Sequence, residues 1–216
     1  MILSGRETME RQSVRHGGGR VTRRIPLLLT SIRAALAPVV AILALFYPFH
    51  PFYPSKAAFG FCLVTALLTD VFDGILARRL GIATPNLRRL DSVADSLFYA
   101  AATFAAWRLY PAAIAERLAP IAVLVLLEIV RYTFDVVKFR REASYHMWSS
   151  KLWGLALFAA FFALLARGSD RFLTAAIFIG IAADLEGLAI SVVLRSWKND
   201  VPTLFHAIRM TRGERA

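Results

Sequence analysis

The chain has 216 residues, of which 57% are hydrophobic and only 19% charged, where a soluble domain carries about a quarter charged, so it reads as a polytopic membrane protein. A formal net charge of +11 on a soluble chain would suggest nucleic acid, but here the basic residues cluster between apolar spans, as the positive-inside rule requires, and no nucleic-acid partner is expected. The single cysteine, Cys62, lies in an apolar run and excludes a disulfide framework or a thiolate zinc site.

Residues 1–24 hold Arg6, Arg11, Arg15, Arg20, Arg23 and Arg24 and the run Gly17-Gly18-Gly19 without an apolar core, so a basic cytoplasmic arm is expected here and not a cleaved signal peptide. The first span runs from about Leu27 to Phe46, opens at Pro26 and carries Thr30, Arg33 and Pro38. It closes at the turn-rich segment 47–54, whose aromatic residues suit a membrane interface. Span two covers about Ala57 to Arg79. Span three follows Thr84-Pro85, a cap followed by a proline suited to the first helical position, and ends near Trp107-Arg108.

Span four runs from about Leu118 to Val137, with Glu128, Arg131 and Asp135 on one side of the helix. A basic loop around Lys138, Arg140, Arg141, Tyr145 and His146 leads to span five, about Lys151 to Ala166, and then to span six, about Phe172 to Leu194, which carries Asp184 and Glu186. Beyond Trp197, the stretch from Asp200 to Arg209 places Val201, Leu204, Phe205 and Ile208 on one face, as in an interfacial helix. The expected fold is an all-α membrane protein. Its six-transmembrane-helix bundle occupies residues 25–197 and is followed by an amphipathic C-terminal tail over 198–216.

Orientation follows from the basic residues in the loops. Of 26 Lys and Arg, 19 fall in the N-terminal arm and in segments 78–89, 138–151 and 195–215, against 5 in the alternate loops. Both termini, and the loop joining spans two and three, are therefore expected on the cytoplasmic side.

Around that loop stand four carboxylates in otherwise apolar sequence: Asp70 and Asp73 three residues apart, then Asp91 and Asp95 four apart. Each pair projects from one helical face, and a short loop makes the two helices antiparallel neighbours. Ionisable groups at membrane depth are rare and usually functional, each costing about 2.5–3.5 kcal/mol at mid-bilayer and less near the surface. Mutual repulsion adds to that cost, and divalent cations relieve it. Carboxylate oxygens suit Mg²⁺, Mn²⁺ or Ca²⁺, and two such ions about 3.5–4 Å apart clamp a phosphoryl group. Gly74 and Ala77, on the turn beside these aspartates, either let a phosphate-bearing ligand lie against the backbone or serve close helix packing, and Arg78 either holds phosphate or snorkels from the helix end.

The run Asp70-x2-Asp73-Gly74-x2-Ala77-Arg78, followed by Asp91-x3-Asp95, resembles the signature of the CDP-alcohol phosphotransferase family, D-x2-D-G-x2-A-R-x8-9-G-x3-D-x3-D, at seven of its eight fixed positions. The span count, the cytoplasmic termini and the Ile25-Pro26 to Pro38 opening resemble that family as well. The resemblance implies transfer of a phospho-alcohol group from a CDP-alcohol, such as CDP-diacylglycerol, to a small acceptor alcohol with release of CMP, among membrane lipids. It further implies that Asp70, Asp73 and Asp91 hold two Mg²⁺ or Mn²⁺ ions. Asp95 would be the base and a further metal ligand, and Gly74, Ala77 and Arg78 would line the cytidine diphosphate. A homodimer is implied too, and the localisation expected is a bacterial inner membrane with the site facing the cytoplasm.

One departure stands out: the family's second glycine falls at Leu87, on the same helical face as Asp91 and Asp95, where leucine narrows the nucleotide site. Arg131, Lys151 and Arg195 near the cytoplasmic ends of later spans form a candidate pocket for a phosphorylated acceptor, or else snorkel. Asp184 and Glu186 are expected to pair with Arg33 in a structural role. Leu87 keeps open a non-catalytic lipid- or nucleotide-binding homologue. The intramembrane carboxylates keep open a cation or proton transporter, although they gather at one membrane face and line no path across it.

Overall fold

A computed structural model describes residues 25, 27–46, 55–80, 85–141, 145, 147–198 and 200–213, with the side chains of residues 55, 77, 78, 80, 85, 86 and 88 not included. The basic arm, the aromatic turn at 47–54, the Thr84 cap and His146 lie outside the described residues. Among the described residues every regular element is helical. The elements are α1 (Leu27–Phe46), α2 (Ser55–Leu80), α3 (Pro85–Leu109), a short α4 (Pro111–Ala115), α5 (Leu118–Phe139), α6 (Trp148–Phe161), α7 (Leu173–Val193) and α8 (Leu204–Gly213). A π-helical turn, Phe162–Ala166, continues α6. The chain divides into two compact units, Met1–Ala105 and Ala106–Ala216.

Helices α1, α2, α6 with its π turn, and α7 are each long and apolar enough to cross a membrane. Helices α3 and α5 have the length, at 25 and 22 residues, but each carries ionisable side chains inside it. These include Arg88, Arg89, Asp91 and Asp95 in α3, and Glu128, Arg131 and Asp135 in α5. Of the six expected spans, four are thus membrane-crossing by length and composition among the described residues.

The first unit is built from complementary helical stripes. On α1 the buried positions Thr30, Arg33, Ala37, Val40 and Ala44 recur every three or four residues, the period of one helix face. Phe59, Cys62, Leu63, Ala66, Thr69 and Asp73 form the buried stripe of α2. Ala94, Phe98, Ala102 and Ala105 do the same on α3, where small side chains let helix backbones approach. Outward-facing Leu28, Ile42, Phe61, Phe72 and Leu97 are exposed, an arrangement suited to lipid and costly in water.

In the second unit α7 is central and packs against α5, α6 and α8. Its buried face, which includes Ala176, Gly180, Ala183, Gly187 and Ser191, is mostly small, and larger side chains from neighbouring helices fill the space. A Cβ on Gly180 would lie 2.5 Å from Trp153 Nε1 and 2.9 Å from Leu124 Cδ1, and the indole is too bulky to yield easily. Gly180→Ala is therefore expected to cost about 1–3 kcal/mol by overpacking. The readout is the melting temperature in detergent, and an unchanged value would count against this close approach.

Of the four residues expected on one face of the C-terminal helix, Val201 is buried and Leu204 and Ile208 are half-buried. Val201 precedes α8 and is fully buried. With Ala207 and Leu204 it joins a core with Tyr145, Met147, Ile190 and Leu194, while Phe205 is exposed. Phe205 alone of the expected face turns outward, and a second constraint acts on the helix start. The Leu204 N–H donates to Glu186 Oε1 at 3.1 Å, satisfying an otherwise unpaired helix N-terminal donor.

Candidate active site

Asp70 and Asp73 lie near the C-terminal end of α2, and Asp91 and Asp95 near the N-terminal end of α3, so the interruption between the helices brings both pairs to one end of the first unit. The three- and four-residue spacings put each pair on one helical face, as expected. Carboxylate oxygens of Asp70, Asp91 and Asp95 come within 4.8 Å of one another. Asp73 stands outside that group and is buried, and its Oδ2 accepts from Arg33 Nη2 at 2.6 Å and from Thr30 Oγ1 at 3.5 Å.

Arg33 is the residue that sequence reasoning placed elsewhere. The expected pairing of Asp184 and Glu186 with Arg33 is corrected by the structure, in which Arg33 binds the motif aspartates. Its side chain is 1% exposed, and Nη1 lies 3.1 Å from Asp70 Oδ1 and 3.0 Å from Asp91 Oδ1 and also donates to Asp95 Oδ1. The signal was present in the sequence. Thr30 and Arg33 are three apart on an otherwise apolar helix, and a buried guanidinium gains most where carboxylates are most numerous. Span six offers two carboxylates, whereas spans two and three offer four.

The donor set fits a hard divalent cation. Three clustered carboxylates supply oxygen ligands only, the chemistry of Mg²⁺, Mn²⁺ and Ca²⁺. One guanidinium does not balance four carboxylates, so further positive charge is favoured there.

Gly74 follows Asp73 on α2 and is half-buried. Ala77 and Arg78 are also within α2, with side chains outside the described residues. Leu87 is half-buried in the first turn of α3. Since α3 is continuous from residue 85, the four-residue spacing of Leu87, Asp91 and Asp95 puts them on one helix face.

The basic residues expected around an acceptor all belong to the second unit. Arg131 Nε lies 3.0 Å from Asp184 Oδ1, and Asp184 is 3% exposed. Asp184 Oδ2 is buried without a hydrogen-bond partner among the described residues. Lys151 is exposed with its ammonium 4.5 Å from the Trp148 ring, and Arg195 is exposed. Asp135, four residues beyond Arg131 on α5, forms no salt bridge with it among the described residues. It accepts from Tyr145 at 3.4 Å, and Tyr145 also bonds Ser191 Oγ at 2.9 Å, fastening the segment between α5 and α6 onto α7. Burial pushes the Tyr145 hydroxyl above its ordinary range, which keeps it a donor.

The family model described as CDP-alcohol phosphatidyltransferase matches residues 23–193. A curated relative, a CDP-diacylglycerol--glycerol-3-phosphate 3-phosphatidyltransferase from Pseudomonas fluorescens, is 38% identical over 78 residues. That match covers 36% of this chain and 38% of the relative, well under two thirds of its length. No solved structure gives a significant match.

Proposed function

The chain belongs to the CDP-alcohol phosphatidyltransferase family, and on that premise we propose that it transfers a phosphatidyl group from CDP-diacylglycerol, or a phospho-alcohol group from another CDP-alcohol, to an acceptor alcohol in phospholipid biosynthesis. The observation that carries this reading is the gathering of Asp70, Asp91 and Asp95 oxygens within 4.8 Å of one another. Asp70, Asp73, Asp91 and Asp95 are assigned to holding two Mg²⁺ or Mn²⁺ ions. When bound, such ions neutralise the donor's diphosphate and the charge that develops on it.

Asp95 takes the proton of the acceptor hydroxyl as that oxygen bonds to the phosphorus carrying the alcohol. The bond from this phosphorus to the bridging oxygen breaks, and its electron pair departs with CMP. Gly74, Ala77 and Arg78 are assigned to the cytidine diphosphate, where absent or short side chains and one guanidinium suit a phosphate-bearing ligand. Arg131, Lys151 and Arg195 are assigned to the acceptor. The relative's name makes glycerol 3-phosphate the first acceptor to test, and basic residues suit its phosphate.

In this reading α3 and α5 also cross the membrane, giving six spans with cytoplasmic termini, a site facing the cytoplasm of a bacterial inner membrane, and a homodimer. Large exposed apolar side chains support the two extra spans: Leu90, Val93, Leu97 and Trp107 on α3, and Leu126, Ile129, Val130 and Val137 on α5. A transport role is less well supported, because the four motif carboxylates sit at one end of α2 and α3.

The test is CMP release by the purified full chain from CDP-diacylglycerol with Mg²⁺ or Mn²⁺, offered glycerol 3-phosphate, inositol phosphate, serine or choline in turn. Release with at least one acceptor, abolished by a chelator and restored by excess metal, is the expected result. No release with any acceptor, together with no binding of CDP-diacylglycerol, would sink the proposal. Leu87 favours a second reading, a non-catalytic homologue that binds the lipid or nucleotide, and a substitution at that position separates the two.

A further inference from the structure

Arg33 carries a permanent charge, and its Nη1 lies against the Asp70, Asp91 and Asp95 oxygens that form the metal-capable group, at 3.1 Å and 3.0 Å from the first two. A divalent cation ligated by these oxygens needs the same lone pairs and is repelled by a guanidinium at that distance. The two cations are thus alternative occupants of one set of donors. Nη2 is held differently, 2.6 Å from Asp73 Oδ2, and Asp73 stands outside the three-acid group.

We propose that Arg33 is a positioning residue that acts as a tethered competitor of the metal: it holds three repelling carboxylates together, then gives up its Nη1 contacts as the ion enters, remaining anchored to Asp73 through Nη2. This rests on the reading that the aspartates bind divalent ions. It gives the four carboxylates unequal duties, with Asp73 the tether through Oδ2 as well as an assigned ligand, and the other three the donors that Arg33 shares with the ion. The geometry supports that division, since Asp73 is buried while the Asp70, Asp91 and Asp95 side chains are 47%, 34% and 37% exposed. An ion arriving from solvent therefore meets those three first. Arg33 Nε has no hydrogen-bond partner among the described residues, so its polar contacts there run through Nη1 and Nη2.

The experiment is a Mn²⁺ titration of the full chain in nanodiscs at a pH above the carboxylate range, reading free ion by electron paramagnetic resonance, for wild type, Arg33→Gln and Arg33→Lys. Removing the competitor should tighten Mn²⁺ binding by about tenfold or more in Arg33→Gln, and the rise in melting temperature on adding Mn²⁺ should exceed that of wild type. Arg33→Lys, which keeps the charge as a single point without the two-pronged fork, should fall between them. A folded Arg33→Gln protein that binds Mn²⁺ as wild type does, or more weakly, would overturn the proposal and leave the metal reading intact. Failure of all three proteins to bind Mn²⁺ would overturn the metal reading and this proposal together.

Should Arg33→Gln not fold, wild type decides the matter through NMR of its ¹⁵N-labelled arginine side chains. Arg33 guanidinium protons should exchange with solvent at least several-fold faster at saturating Mg²⁺. Exchange that does not change on saturation would overturn the proposal.

Discussion

Replacing Asp95 with asparagine is expected to lower CMP release by about 10²–10⁴-fold, the usual contribution of a positioned general base, while Mn²⁺ binding falls far less. Asparagine keeps the shape of the side chain and an oxygen that can still accept from Arg33, so the fold of the first unit should survive. Asp70 and Asp91, the other two members of the three-acid group, still offer carboxylates to the ion. The two measurements separate the roles assigned to Asp95. A large loss of turnover with little change in ion affinity identifies a base. Parallel losses identify a ligand that the metal cannot do without, and unchanged turnover removes Asp95 from the chemistry.

Leu87→Gly is the second change expected to have a large effect, here a gain. Leu87 lies one turn before Asp91 and is half-buried, so deleting its side chain opens the face that carries Asp91 and Asp95. If the donor nucleotide lies against this face, KM for CDP-diacylglycerol should fall by about 10- to 200-fold, the range that a pocket adjustment of this kind produces. Glycine inside a helix costs about 1 kcal/mol, so a modest drop in melting temperature should accompany it. Activity that appears only in the variant would identify the natural protein as a non-catalytic homologue. A KM that does not move would place Leu87 away from the donor.

The acidic motif was legible before any coordinates because it obeys a local rule. Side chains three and four residues apart share a helix face, and helical geometry is set by short-range backbone hydrogen bonds. The same reasoning located the helices to within a few residues, from α1 at Leu27–Phe46 to α7 at Leu173–Val193. It passed over α4, a five-residue helix opened by Pro111, because one turn is too short to show a period. The correction at Arg33 and the outward turn of Phe205 have a common origin. Both concern which of several chemically acceptable partners a side chain meets, and spacing along one helix does not contain that information.

By itself the sequence determined that this is an apolar, helical, membrane-type chain with two carboxylate pairs flanking a short connection, since composition and periodicity are local properties that tertiary packing rarely reverses. Only the tertiary structure decided that Arg33 reaches across from α1 to the motif aspartates, that Asp73 stands apart from the other three, that Arg131 takes Asp184, and that α8 turns Ala207 inward. Each of these depends on how separate helices are rotated and set against one another. Pairing a buried charge is one term in that choice, and no single stretch of the chain encodes it.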